Sequence, residues 1–292
     1  MPSRNPNQAA GTAKQEPGER LELLGAAVRD ASQVLILPHN NPDPDAIASA
    51  VALRYLLAQQ FGIASQVLYK GVIGRAENRA LIRYLGRPLA RLFSNEQFGS
   101  SALVVVDTQP TFGNSAVDQS VPIEGVIDHH PPDGARTVVA PFIDIRPDVG
   151  ATATLLTEYL QTAGITPPRQ VATALFYGIK TDTLGLMRGV SDADIAAYLF
   201  LQPHVDVAAL IEIEHAQVPV DYFQQLNQTV RAARVYQYAV IAQLGPMAYP
   251  DLVGEMADLL LRLDGMRWSF CMGQYNDALI LSVRTRDRQG GA

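Results

Sequence analysis

The stretch QVLILPHNNPDPDAIASAVALRYLLAQQFG, residues 33–62, decides the fold. Gln33 to Pro38 is an almost unbroken apolar run, the pattern of a strand buried on both faces of a parallel sheet. A turn follows in which Pro42 and Pro44 fix two φ angles and stiffen the chain. From Asp45 to Gln60 the residues are good helix formers, and Phe61 and Gly62 end the run. SQVLYK then offers a second strand, so the stretch reads as one βαβ unit.

Working outward, ALVVVD (102–107) and EGVID (124–128) add strands, while Leu21 to Asp30 and Glu77 to Tyr84 add helices. Strands alternating with helices predict an α/β fold with a doubly wound, mostly parallel sheet. Beyond Gly150 the pattern is helical: ATATLLTEYLQTA, RQVATALFYGIKTD and segments near 192–201, 205–214 and 222–233. From Tyr236 it becomes strand, helix, strand, strand, the order of a second and smaller α/β domain. The expected organisation is a loose N-terminal tail (1–20), a principal domain (21–190), a helical connector (191–234) and a C-terminal domain (235–292).

Composition narrows the class. A chain of 292 residues can bury two cores. Hydrophobic residues make up 48%, yet no apolar run approaches the roughly 20 residues that span a bilayer, so no membrane partner is expected. The polar opening MPSRNPNQAAGTAKQEPGER lacks the apolar core of a secretory signal. The single cysteine, Cys271, cannot form an internal disulfide and reads as a small buried residue, which fits the cytoplasm. A net charge of −6 argues against holding long duplex DNA on a basic face, though not against a short anionic substrate.

The informative residues follow the strands. After VLILP come His39, Asp43 and Asp45; after ALVVV comes Asp107; after GVI come Asp128, His129 and His130; Asp182 ends an apolar helical run. In an open α/β sheet, ligands bind outside the carboxyl ends of the strands, so these groups are expected to converge. Imidazole and carboxylate donors without cysteine suit Mn²⁺, Fe²⁺, Zn²⁺ or Co²⁺. The set exceeds what one ion needs, and two ions bridged by a carboxylate and a water form the arrangement used in phosphoryl hydrolysis. Against this, Asp43 or Asp45 alone would serve as a helix cap, and Asp107, Asp128 and Asp182 as loop or surface acids.

Four of these segments, in order, carry a resemblance: HNNPDPDAIASAVAL, VVVDTQP, VIDHHPP and GIKTDTLGL. Together they resemble the DHH phosphoesterase superfamily, named after the triplet seen here as Asp128-His129-His130. Within it the sequence is similar to the group of oligoribonucleases and 3′-phosphoadenosine 5′-phosphate phosphatases, whose smaller second domain the segment after Tyr236 resembles. The resemblance implies two ions, usually Mn²⁺, in an interdomain cleft. His39 and Asp43 would bind the first, Asp45, His129 and Asp182 the second, and Asp107 would bridge them. His130 would face the scissile phosphate, and Asp128 would orient a ligand imidazole from behind. The implied reaction is hydrolysis of short oligoribonucleotides, or of a nucleotide 3′,5′-bisphosphate, by a hydroxide bridging the metals.

The resemblance also implies a glycine-rich stretch ending in histidine, whereas this chain ends RTRDRQGGA, so the C-terminal domain is expected to be incomplete. Arg284 and Arg286 are the candidate phosphate contacts from that domain, with exposed edge-strand arginines as the plain alternative. His204, His215, Glu158, Glu212 and Glu214 read as surface residues, and Tyr69, Tyr84 and Tyr177 as half-buried ones. Other substrates for the same metal core are a cyclic or linear dinucleotide, pyrophosphate or polyphosphate. A non-catalytic nucleotide-sensing module is the alternative of another class, and a homodimer is compatible with all of these.

Overall fold

The computed structural model describes residues 16–134 and 136–287. Most of the expected tail, and the glycines Gly290 and Gly291, lie outside the described residues. The first helix, α1, spans Pro17–Val28 and so begins four residues before Leu21, with Pro17 at a position where its missing N–H costs nothing.

The principal domain is a six-stranded, entirely parallel sheet of β1 (Val34–Pro38), β2 (Ser65–Tyr69), β3 (Leu89–Arg91), β4 (Ala102–Val106), β5 (Gly125–Asp128) and β6 (Phe142–Ile145). Their spatial order is β3-β2-β1-β4-β5-β6, so the winding reverses between β1 and β4. Strand β3 has three residues, too few to mark it in the sequence, and β6, as long as β5, interrupts its apolar residues with Asp144.

The two faces of the sheet are covered unequally. Val34, Ile36, Val104, Val106 and Ile127 pack under helices α1, α2 (Pro44–Phe61), α3 (Ala76–Tyr84), α4 (Thr152–Thr162) and α5 (Arg169–Asp182). Leu35, Leu37, Leu103, Val105 and Val126 face a thinner layer, made of a short 3₁₀ turn with Phe98 and of loops carrying Val117 and Ile123. Both sets are buried, which explains why the strands read as continuous apolar runs.

Helix α2 is the element nearest the middle. Its N-terminus is capped by Asp43, whose Oδ1 accepts the Ala46 N–H at 3.0 Å, and it ends at Gly62, where φ is 66°. Everything from Pro44 to Leu53 is buried. Helix α5 crosses it so closely that a Cβ on Gly178 would lie 3.1 Å from the Asp45 Cα and 3.3 Å from the Cβ atoms of Ala48 and Ala153. A glycine at this point therefore sets the distance between α2, α4 and α5.

Helices α6 (Asp192–Leu201), α7 (Val207–Glu214) and α8 (Val220–Ala232) lead to a second sheet. Its strands β7 (Arg234–Tyr236), β8 (Ala239–Pro246), β9 (Trp268–Tyr275) and β10 (Ala278–Thr285) run in the order β10-β9-β8-β7. Helix α9 (Leu252–Leu260) covers one face, enclosing Val240, Ala242, Leu244, Met256 and the fully buried Cys271. The loop after β2 touches this second unit: a Cβ on Gly74 would lie 2.3 Å from the Tyr249 ring. Among the described residues no single helix is long and apolar enough to cross a membrane.

The close crossing at Gly178 gives a direct expectation. Gly178→Val overpacks the α2–α5 contact and should destabilise the protein by about 1–3 kcal/mol, with loss of cation affinity because Asp45 is displaced. Thermal unfolding and cation titration of the variant check this; a variant with parental stability and affinity would mean that α5 shifts freely on α2.

Candidate metal centre

Sheet register puts the site together. Pro38 lies abreast of Val106, and Val106 abreast of Ile127. The residues next in each strand, His39, Asp107 and Asp128, therefore leave the sheet side by side at the point where the winding reverses. Helix α2 contributes Asp43 and Asp45 from its first turn, and α5 contributes Asp182 from its last.

Two donor groups result, each with ligand atoms close enough for one ion: His39, Asp43 and Asp107, and Asp45, His129 and Asp182. In the first, His39 Nε2 lies 3.7 Å from Asp43 Oδ1 and 3.6 Å from Asp107 Oδ2. In the second, His129 Nε2 lies 3.4 Å from Asp182 and 3.9 Å from Asp45, and it is also 3.6 Å from Asp107 Oδ1. The two oxygens of Asp107 thus face different histidines. A third combination, Asp107 with His129 and His130, also meets the distance condition. In it, however, the His130 Nδ1 near Asp107 is already bound to Asp128 at 2.9 Å.

Backbone groups settle the tautomers. His39 Nδ1 donates to the Asn40 carbonyl at 2.9 Å and His129 Nδ1 to the Val149 carbonyl at 3.2 Å, so in each neutral ring Nε2 carries the lone pair. His129 Nε2 is buried with no hydrogen-bond partner, which is costly unless a cation takes the lone pair. This orphaned atom among carboxylates is what a divalent ion fits.

The acids are held by their own supports. Asp45 turns away from capping α2 and accepts the N–H groups of Thr152 (2.7 Å) and Ala153 (2.8 Å) at the start of α4. Asp107 accepts the Thr152 hydroxyl at 2.7 Å and has φ of 58°, a left-handed backbone that costs a non-glycine residue free energy. Asp43 combines two roles, since the oxygen that caps α2 also faces His39. The capping and ligand readings of that residue are therefore compatible.

Asp128 departs from expectation. It is fully buried, takes the backbone N–H groups of His129 and His130 on Oδ1, and receives Gln109 Nε2 on Oδ2 at 2.8 Å. The ring it orients is that of His130 and not a ligand imidazole, whose place behind His129 is taken by the Val149 carbonyl. His130 is the more exposed histidine of the pair and meets the Phe112 ring edge-on at 6.3 Å.

A cleft of about 1040 Å³ opens over the first donor group and reaches the second domain at Trp268, Arg284 and Arg286. Arg284 is also bound to Asp258 of α9 at 2.8 Å. Arg75 and Arg188 line the same cleft, as does Tyr177. Arg75 stands beside no recognisable motif in the sequence; Arg188 follows GIKTDTLGL by two residues and Gln109 lies within VVVDTQP, but neither they nor Thr152 stand out there as site residues. Of the helix acids read as surface residues, Glu158 and Glu214 are partly exposed and ion-paired, Glu158 with Arg146 at 2.6 Å and Glu214 with Lys180.

The charges are strongly coupled. Burial, then repulsion from Asp182, raises Asp45 to about 7, and burial with the neighbouring carboxylates Asp45, Asp43 and Asp182 drives Asp107 far above the carboxylate range. Burial also raises Asp182. Burial would raise Asp43 too, but the hydrogen bond and charge of His39 hold it below its usual value. For the histidines burial acts downward, yet Asp43 pushes His39, and Asp182 with Asp45 pushes His129, to about 9.

Groups whose folded-state pKa is raised add stability at low pH and lose it as the pH climbs through the folded value. Metal-free protein should therefore lose stability as Asp45 titrates near 7 and the two histidines near 9. Divalent cations, which require deprotonated carboxylates and neutral imidazoles, should stabilise it more as the pH rises. Unfolding midpoints from pH 5 to 9 with and without Mn²⁺ should diverge with rising pH; parallel curves, or no shift with Mn²⁺, would rule out a cation site here.

Known proteins resemble this chain over most of its length. The sequence matches the family described as DHH family, N-terminal domain, over residues 33–179. It is 37% identical over 260 residues to an uncharacterized protein of Methanocaldococcus jannaschii, covering 87% of this chain but 52% of that protein, so the chain spans about half the length of that relative. It is 28% identical over 222 residues to the "probable manganese-dependent inorganic pyrophosphatase" of Streptococcus pyogenes serotype M5, covering 70% of this chain and 71% of the relative. Among solved structures, an exopolyphosphatase-related protein from Bacteroides fragilis shares the fold with a TM-score of 0.70 at 14% identity, over 92% of this chain and 84% of that one. A family match over half of the sequence, from β1 into the last turn of α5 but short of Asp182, establishes that the chain belongs to the DHH family.

Proposed function

We propose that this chain is a dinuclear metal phosphoesterase that hydrolyses short oligoribonucleotides or a nucleotide 3′,5′-bisphosphate. The observation that carries the reading is the double donor group: two histidines with free Nε2 atoms face four carboxylates, and Asp107 presents one oxygen to each histidine. His39 and Asp43 would hold one cation and Asp45, His129 and Asp182 the other, with Asp107 within reach of both groups. Divalent cations, with manganese named for one relative, would supply Lewis acidity and lower the pKa of water there.

The chain's own residues do the rest. Asp128 fixes the His130 ring by taking its Nδ1–H, and as an imidazolium, in which both nitrogens donate, the ring would give a hydrogen bond or proton from Nε2 to an oxygen of the scissile phosphate or to the leaving oxygen. The donor is preorganised, because Asp128 is itself fixed by two backbone N–H groups and Gln109. The backbone amides of α4 keep Asp45 turned toward His129. The arginines lining the cleft offer positive charge for the other end of an anionic substrate.

A second reading, hydrolysis of inorganic pyrophosphate, is favoured by the name of the S. pyogenes relative. The size of the cleft favours the nucleotide reading: about 1040 Å³ accommodates a dinucleotide, whereas pyrophosphate would fill a small part of it. Hydrolysis of an RNA dinucleotide, 3′-phosphoadenosine 5′-phosphate and pyrophosphate, compared side by side with Mn²⁺, separates the two.

Asp107→Ala should reduce hydrolysis by about a thousandfold or more and lower the bound metal, since it removes the shared ligand. Retention of full activity would end the dinuclear assignment. His130→Ala should lower kcat by roughly 10²–10³-fold with metal content preserved. If that variant instead loses metal, the two neighbouring histidines have exchanged roles, and metal analysis alongside kcat distinguishes these outcomes.

A further inference from the structure

We propose that Arg75 and Arg284, one from each domain, form a clamp for a phosphate group of the substrate other than the one being hydrolysed. The clamp rests on the phosphoesterase reading above and extends it to a residue that no motif marks.

The two side chains meet over one glycine. A Cβ on Gly254, in the first turn of α9, would lie 3.2 Å from an Nη2 of Arg284 and 3.4 Å from Nη2 of Arg75. The two terminal nitrogens are therefore no farther apart than the sum of these distances, close enough for one oxyanion to touch both. A side chain on residue 254 would crowd that space. Two guanidinium groups at such range repel, a repulsion that the surrounding carboxylates of Glu255, Asp251, Glu77 and Asp258 offset in part, and their planar donor geometry suits phosphate.

Neither arginine is consumed by its protein partner. Arg284 spends Nε on Asp258 and an Nη1 on the Val283 carbonyl, leaving Nη2 toward Gly254. Arg75 approaches Glu255 only at 4.0 Å through Nε, and the Glu255 oxygen on that side has no hydrogen-bond partner. Contact at that distance leaves the guanidinium unsaturated. Both arginines line the cleft that also exposes His39, Asp43 and Asp182, and the charge of Arg75 is felt at Asp43. A substrate with one phosphate at the metal centre and a second elsewhere along it can engage both places. The substrate class is thus a nucleotide carrying at least two phosphate groups.

The test compares the 5′-phosphorylated dinucleotide pApA with ApA, which lacks the terminal phosphate, on the full chain with Mn²⁺. The parent should show a KM for pApA about tenfold below that for ApA. Arg75→Gln and Arg284→Gln should each raise KM for pApA about tenfold and leave ApA unchanged, erasing the preference. Glu255→Gln, which loosens Arg75 from the second domain without touching the clamp, should keep it. A parent that does not discriminate overturns the clamp. So does an Arg75→Gln effect that falls equally on both substrates and is reproduced by Glu255→Gln, because the contact is then only an interdomain strap. If the parent hydrolyses neither dinucleotide, the oligoribonucleotide half of the reading above fails on its own. The clamp is then judged by calorimetric Kd values with Mn²⁺, and equal affinities of the parent and Arg75→Gln for pApA reject it.

Discussion

Repulsion among carboxylates that the sheet register forces together is the constraint on which the rest of this structure depends. Three parallel strands end level with one another, and the residues that follow them include Asp107 and Asp128; α2 and α5 bring Asp43, Asp45 and Asp182 to the same place. Left alone, such a group cannot remain ionised, as the upward shifts of Asp45 and Asp107 show. Much of the surrounding architecture serves to hold these acids in place. The amides at the start of α4 point at Asp45, Thr152 bonds Asp107, and the backbone of Asp107 adopts a left-handed turn that it would not choose by itself. Strain and charge concentrated at one spot are the signature of a site shaped for a cationic ligand.

Neighbouring histidines acquire different chemistry from what lies behind them. A carbonyl behind His129 leaves a neutral ring with one free lone pair, suited to a metal. A carboxylate behind His130 takes its Nδ1–H and fixes the orientation of the ring. Adjacent positions on a chain leaving a strand point in different directions, which is how the two rings reach separate supports although their centres are only 4.3 Å apart.

The sequence made the sheet and the donor set legible for one reason: strands buried on both faces are runs of apolar residues, so a histidine or aspartate at the end of such a run stands out. His39, Asp107 and His129 are visible in that way. The orientation of Asp128 was not, because the choice between His129 and His130 depends on where the Val149 carbonyl falls, twenty residues along the chain. Gly178, Thr152 and Arg75 were equally hidden. Each matters through a contact across the fold, with Asp45, Asp107 and Gly254 respectively, and nothing in its own neighbourhood records that contact. The strands β3 and β6 escaped notice as edges of a sheet whose middle carries the pattern.

The donors of the two groups lie between residues 39 and 182, on three strand ends and two helices. Such a set exists only when β1, β4, β5, α2 and α5 have all docked, and contacts of this sequence separation close late in folding. A cation held there would thus contribute little to the folding transition state and much to the native state. Its effect would fall on the unfolding rate, making the bound ion a kinetic lock on the principal domain, while the chain reaches that fold at a pace set by its topology alone.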